Sequence, residues 1–143
     1  LNIQDLTFSR LLHLTAQAWR QAIDRRVKED GLTTSSWMAI ATLATQTAPV
    51  SQKELALALG LEEATIVPLV DRLVKQQLVV RTQPPEDRRK RLVAITPAGT
   101  ALHQQLAGEI EKLRNELLAT ISRDELIVAQ RVLQKLLKAT EAK

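Results

Sequence analysis

Apolar residues recur every three or four positions through Phe8, Leu11, Leu12, Ala16, Trp19, Ala22, Ile23 and Val27, and the spacing predicts an amphipathic helix from Asp5 to Lys28. Gly31 ends it. Thr33 or Thr34 then caps a second helix that turns Trp37, Ile40, Ala41 and Leu43 inward and stops before Pro49. Ser51-Gln52-Lys53-Glu54 has the spacing of a capping box, in which the Ser hydroxyl accepts the Glu54 amide and the Glu carboxylate accepts the Ser51 amide. The short helix it opens faces Leu55, Ala56 and Leu59 inward and breaks at Gly60, where a positive φ turns the chain. A further helix from about Glu62 to Gln76 carries Ile66, Leu69, Val70 and Leu73 on one side.

Periodicity then changes. Leu78 to Gln83 and Arg91 to Thr96 are dense in β-branched and apolar residues, and Pro84 and Pro85 lie between them, which reads as a β-hairpin with a long loop. Thr96-Pro97 offers a cap followed by proline at the first helical position, and a long helix follows with Leu102, Leu106, Ile110, Leu113 and Leu117. Ser122 to Glu125 is a second capping box, opening a last helix whose stripe is Leu126, Ala129, Val132, Leu133, Leu136 and Leu137. The predicted fold is mainly α with a small β-hairpin wing. It comprises an N-terminal dimerisation helix over 1–31, a winged helix-turn-helix over 32–96 and C-terminal dimerisation helices over 97–143. The first helix and the last two are more apolar than a lone DNA-binding domain needs, so a partner copy is expected to cover them.

Composition removes most other functions. The chain has 143 residues, 45% hydrophobic and 25% charged, in the range of an ordinary globular domain. With 2% aromatic residues it lacks a stacking platform for single-stranded nucleic acid, and with no Cys it lacks thiolate chemistry and Cys-based zinc sites. His13 and His103 alone do not make a metal centre, and no cofactor is expected. HExxH, GxGxxG, GxSxG and phosphate-loop motifs are all missing, which argues against an enzyme. Apolar runs fall far short of the roughly 20 residues of a membrane span, so a cytoplasmic protein with no membrane partner is expected. The chain opens on Leu1, so an initiator Met or a longer natural N-terminus is expected before it.

Charge sharpens the reading. Between Arg81 and Arg91, five basic residues oppose Glu86 and Asp87, which places +3 of the chain's net +4 in the hairpin. A helix, a turn, a second helix and a hairpin with a basic loop, in that order, form a winged helix-turn-helix, and double-stranded DNA is the expected partner.

The runs Leu69-Val70-Asp71-Arg72-Leu73, Leu78 to Arg81, Asp87-Arg88-Arg89 and Leu92 to Gly99 resemble the MarR/SlyA family of bacterial regulators. The Asp-x-Arg of the wing and the Thr-x-x-Gly at the next helix are its most specific marks, and the likeness extends to Ala18 to Asp24 and Leu32 to Trp37. It implies a homodimer with interleaved terminal helices, acting as a transcriptional repressor or other regulator on a pseudo-palindromic operator. It also implies a recognition helix presenting Ala64, Thr65, Pro68 and Arg72, with Leu69 either in the core or at the DNA. Ser51, Gln52 and Lys53 would approach a phosphate at a helix N-terminus.

Pro68 departs from the family, whose members commonly hold Arg or a polar reader there. It offers no donor, it removes a helical hydrogen bond to Ala64, and a kink or local relief is expected. Thr65 and Arg72 remain as readers, with apolar contact to thymine methyls from Ala64 or Pro68. At the wing, Arg89 is expected in the minor groove with Asp87 steadying it or a neighbour, while Arg81, Arg88, Lys90 and Arg91 contact phosphates. The resemblance also implies a small aromatic carboxylate ligand, for which His13, Trp19, Arg20 and Trp37 are candidates; the alternative puts both Trp in the core and pairs Arg20 with Asp24. The competing function is a winged-helix protein-interaction module, which has no need of four consecutive basic residues at its wing.

Overall fold

A computed structural model describes residues 2–143. The chain divides into a unit ending at Ile110 and a unit of Glu111–Lys143.

Helix α1 (Phe8–Val27) begins three residues later than its periodicity predicts, because Thr7 lies in extended backbone and its hydroxyl accepts the Arg10 amide. Ile3–Asp5 forms a separate 3₁₀ turn. Helix α2 (Thr34–Ala44) is capped twice. Thr33 Oγ1 accepts the Ser36 amide at 3.1 Å, while Asp24 of α1 accepts both the amide and the hydroxyl of Thr34 at 2.6 Å. Burial raises the Asp24 carboxyl, but the Thr34 hydroxyl, the Thr34 amide and the Arg20 charge together outweigh it and hold the group below its ordinary pKa. The Arg20–Asp24 contact expected at i,i+4 does not form, because the Arg20 guanidinium donates to Ser35 Oγ at 2.6 Å.

The strand β1 (Val50–Ser51) leads directly into α3 (Gln52–Leu59), and α3 ends on Gly60 at φ 67°. Helix α4 (Glu63–Lys75) follows, then β2 (Val79–Thr82), β3 (Leu92–Ile95) and α5 (Pro97–Leu117). The expected two-stranded hairpin is in fact a three-stranded antiparallel sheet in the order β1-β3-β2. Val50 is opposite Val93 and Ser51 opposite Leu92 on one side of β3, with Val79 opposite Ile95 on the other. The capping of α3 is also simpler than its sequence predicts. Ser51 Oγ accepts the Glu54 amide at 3.1 Å, but the return bond from the Glu54 side chain is absent, so the predicted box is half formed.

The core of the first unit gathers Ile23 and Val27 of α1, Trp37, Ile40 and Leu43 of α2, Leu55 of α3, Ile66, Val70 and Leu73 of α4, Val79 and Val93 of the sheet, and Leu106 and Ile110 of α5. Each side chain of this size contributes about 1.5–3 kcal/mol by leaving water. Leu69, open between core and DNA in the sequence, is buried. At the foot of the hairpin, Thr96 Oγ1 accepts the Gly99 amide at 3.0 Å and donates to the Gln77 carbonyl at 2.7 Å. A Cβ at Gly99 would lie 2.2 Å from the Leu78 carbonyl oxygen, so only glycine lets α5 start this close to β2.

The second unit contains α6 (Arg123–Glu141), opened by the complete Ser122–Glu125 capping box that its sequence predicts. None of its residues is buried, and Ile127, Val128, Val132, Leu133 and Leu137 are exposed. Phe8, Leu11 and Leu12 in the first half of α1 are exposed as well. Among the described residues no helix is long and apolar enough to cross a membrane.

Candidate nucleic-acid interface

Helix α4 has two faces because its apolar residues fall at helical spacing. Ile66, Leu69, Val70 and Leu73 turn inward, which leaves Ala64, Thr65, Pro68 and Arg72 exposed on the other side. Pro68 does not interrupt the helix, which runs unbroken from Glu63 to Lys75 with proline at its sixth position. The four expected readers thus share one solvent face.

Behind that face, charges are already paired. Arg81 of β2 lies 2.8 Å from Asp71 Oδ1 on α4, and its Nε donates to Gln52 Oε1 on α3 at 2.7 Å. Gln52 is buried, and its amide donates to the Arg91 carbonyl at 3.0 Å. The polar groups of Gln52 and Arg81, both expected at phosphates, therefore meet each other across 29 residues of sequence and tie α3, α4 and the sheet together. Asp71, which closes this cluster, lies in the run Leu69 to Leu73 that carries the family resemblance, but no local signal in the sequence marked it as the partner of Arg81.

The hairpin loop presents its cations differently. Asp87 is half-buried, and its Oδ1 accepts the Arg89 amide at 3.0 Å and lies 3.7 Å from Arg89 Nε. The Asp87 amide donates to the Pro84 carbonyl and the Lys90 amide to the Asp87 carbonyl, both at 3.2 Å, so the acid is held by turns on either side. The backbone under Arg89 is fixed while its side chain is 97% exposed. Arg88, Lys90 and Arg91 are exposed too.

Between wing and helices runs a groove of about 760 Å³, bounded by Ser51 to Glu54 and Leu57 of α3, Glu63 and Val67 of α4, and Arg89 to Leu92. The N-terminus of α3 adds the positive end of its dipole to Lys53 on one wall, opposite the wing cations, although its Gln52 and Glu54 amides are already taken by the Arg91 carbonyl and Ser51 Oγ. Glu54 and Glu63 put carboxylates into the same groove, so its positive potential comes chiefly from the wing side. Leu57, 74% exposed and outside the predicted inward set of Leu55, Ala56 and Leu59, adds an apolar rim.

The four residues suggested for a small ligand are not alike. Trp37 is 4% exposed and stacks on His103, with ring centroids 5.4 Å apart. Trp19 is half-buried on α1, while His13 and Arg20 are exposed and two helical turns apart. Arg20 has no carboxylate within 4.0 Å among the described residues. No group of three or more acidic or histidine side chains among them is placed to hold a metal ion.

Residues 32–90 match the profile of the MarR family. The transcriptional regulator PA3341 is 34% identical over 96% of this chain and 100% of its own, with a TM-score of 0.84. MepR from S. aureus, in its complex with DNA, is 20% identical over 94% of this chain and 99% of its own, at a TM-score of 0.87. BpsR from Bordetella bronchiseptica, whose DNA binding is regulated by 6-hydroxynicotinic acid, is 23% identical over 90% of this chain and 96% of its own, at 0.82. A mainly helical chain with a basic wing beside its helix-turn-helix, matched in this way over nearly its full length, belongs to the MarR family of winged-helix transcriptional regulators.

Proposed function

We propose that this chain works as a homodimer on a pseudo-palindromic operator, with α4 in the major groove, the wing tip in the adjacent minor groove, and the phosphate strand between them running past the N-terminus of α3. The observation that carries this reading is Arg89: a cation 97% exposed, on a backbone fixed by Asp87, at the edge of a groove that opens toward α4. A narrow A·T-rich minor groove concentrates negative potential where such a guanidinium is presented. Ser51, Lys53, Arg88, Lys90 and Arg91 then neutralise phosphates, while Gln52 and Arg81 act by holding α3 and the wing to α4. The exposed stripes of α6 and of the first half of α1 are the surfaces that a second copy would cover. Two-fold symmetry sets the half-sites about one helical turn, ~34–36 Å, apart.

A small aromatic carboxylate is the proposed effector, released DNA being its consequence. Arg20 offers a guanidinium bonded only to a neutral hydroxyl, with the flat face of Trp19 beside it in sequence and His13 two turns away. Regulation of BpsR by an aromatic acid supports the ligand class. Trp37 contributes through the core rather than by contact.

Gel shifts with DNA from upstream of the protein's own gene, at several salt concentrations and with salicylate-type anions added, test both parts. Binding that weakens linearly in log salt and is relieved at millimolar anion is expected. A chain that shifts no DNA at low salt is a protein-interaction module instead, and one that ignores the anions loses only the effector part.

A further inference from the structure

We infer that this protein selects its operator in the major groove by the C5-methyl groups of thymine rather than by bidentate hydrogen bonds to base edges. The inference rests on the DNA-binding reading proposed above. On the exposed face of α4 the first two turns offer the Ala64 methyl, the Thr65 hydroxyl and methyl, and the Pro68 ring. None can form the paired contacts by which Arg or Lys reads guanine and Asn or Gln reads adenine. Asp71, the acid adjoining this face, is drawn to Arg81 at 2.8 Å, and Arg81 is itself engaged by Gln52. Glu63 turns into the groove beside the wing, on the side of the phosphate strand. Arg72, two turns beyond Ala64, is the one long donor left on the face.

Over its first two turns, ahead of Arg72, this face is apolar and stiff apart from the Thr65 hydroxyl. Alanine and proline lose no rotamer freedom on contact, so a surface built from them meets an apolar partner without an ordering cost. In the major groove of B-DNA the thymine methyl is the apolar feature that separates one base pair from another, and Ala and Thr methyls are suited to it. Pro68 thus places a rigid hydrocarbon where a polar side chain would otherwise reach for a base edge. Thr65 adds a hydroxyl that either donates or accepts and so discriminates little by itself.

The test uses the full-length protein and a duplex recovered from random sequence by repeated binding selection. Thymines of each half-site are replaced one at a time by deoxyuridine, which removes the methyl and leaves the pairing intact, and affinity is followed by fluorescence anisotropy at fixed salt. At positions facing α4, binding is expected to weaken about three- to fourfold per contacted methyl. At positions facing the wing it is expected to stay unchanged, since the methyl projects into the opposite groove. Replacing one contacted T·A pair by 5-methylcytosine·guanine is expected to bind more tightly than unmethylated cytosine·guanine. In Pro68→Arg the penalty at its thymine disappears and guanine becomes preferred there. This substitution removes a helix-breaking residue from an exposed position, so the fold tolerates it.

Deoxyuridine duplexes that bind as well as thymine ones overturn the inference while leaving the regulator intact, as does a selected site whose α4-facing positions are guanines read by Arg72. A selection that enriches no sequence overturns the DNA-binding reading itself.

Discussion

Two arginines of one hairpin have opposite surroundings. Arg81, at the base of the wing, is 22% exposed and meets Asp71 and Gln52 from two different helices. Arg89, at the tip, is 97% exposed, and its only close acid is Asp87 in its own turn, 3.7 Å away. A guanidinium turned inside the protein, with Nε bonded to Gln52 and Nη2 buried beside Asp71 without a well-aligned hydrogen bond, holds elements together and is not presented to a ligand. One whose backbone is held while its head stays in water contributes little to stability and keeps its full charge for a partner. The same residue type is therefore enclosed between helices at the base and left in solvent at the tip, where the proposed function puts recognition.

The comparison predicts that substitutions at the base change folding and those at the tip change binding. The largest effect is expected from Gly99→Ala, whose new Cβ collides with the Leu78 carbonyl beneath the hairpin. Overpacking against backbone there is expected to cost about 3 kcal/mol in urea denaturation at fixed protein concentration. Arg89→Ala is expected to lose about 2 kcal/mol of operator affinity, roughly thirtyfold, with stability changed by less than about 0.5 kcal/mol. Arg81→Ala is expected to do the reverse. Its stability falls by about 1–2 kcal/mol because Gln52 loses its partner, the half-exposed Asp71 adding little. Equal destabilisation by both arginine substitutions would erase the distinction between base and tip.

Asp24 offers a buried-side control away from the wing. Its folded-state pKa lies below the ordinary 3.8, so its contribution is present above that pH and is lost as pH falls through the lower folded value. Asp24→Ala, which removes one of the two caps of α2 and leaves that of Thr33, is expected to cost about 1 kcal/mol at pH 7, and the difference from wild type should shrink at the acid end of the denaturation series. The smallest effect belongs to Lys90→Ala. It should weaken all DNA sequences alike and reduce the slope of log affinity against log salt by about one unit, whereas a sequence-dependent loss would promote Lys90 from phosphate contact to reader.

The helices, both winged-domain turns and the charged tip were legible in the sequence because each rests on local signals: helical spacing, Ser and Thr caps, Gly60, and Asp87 two residues before Arg89. The meeting of Gln52 with Arg81 was not, since no local rule places a glutamine of one helix against an arginine on a strand 29 residues later. Strand β1 was missed for a related reason. At two residues it is too short to alternate, and Ser51 already had a complete local explanation as a helix cap. Trp37 illustrates the converse: a large aromatic on an apolar stripe suited both a core and a ligand site, and its stacking on His103 inside the first unit placed it in the core.

Because β1 lies against β3 and its last residue caps α3, the strand that supports the wing is stitched to the helix that would touch the phosphate; the Gln52 amide and the Arg91 carbonyl are the final stitch. The tip of the hairpin and the start of α3 are thereby joined through one short strand. In the proposed DNA-bound state a motion that lifts one of these surfaces is expected to lift the other, so that release would be a single concerted event.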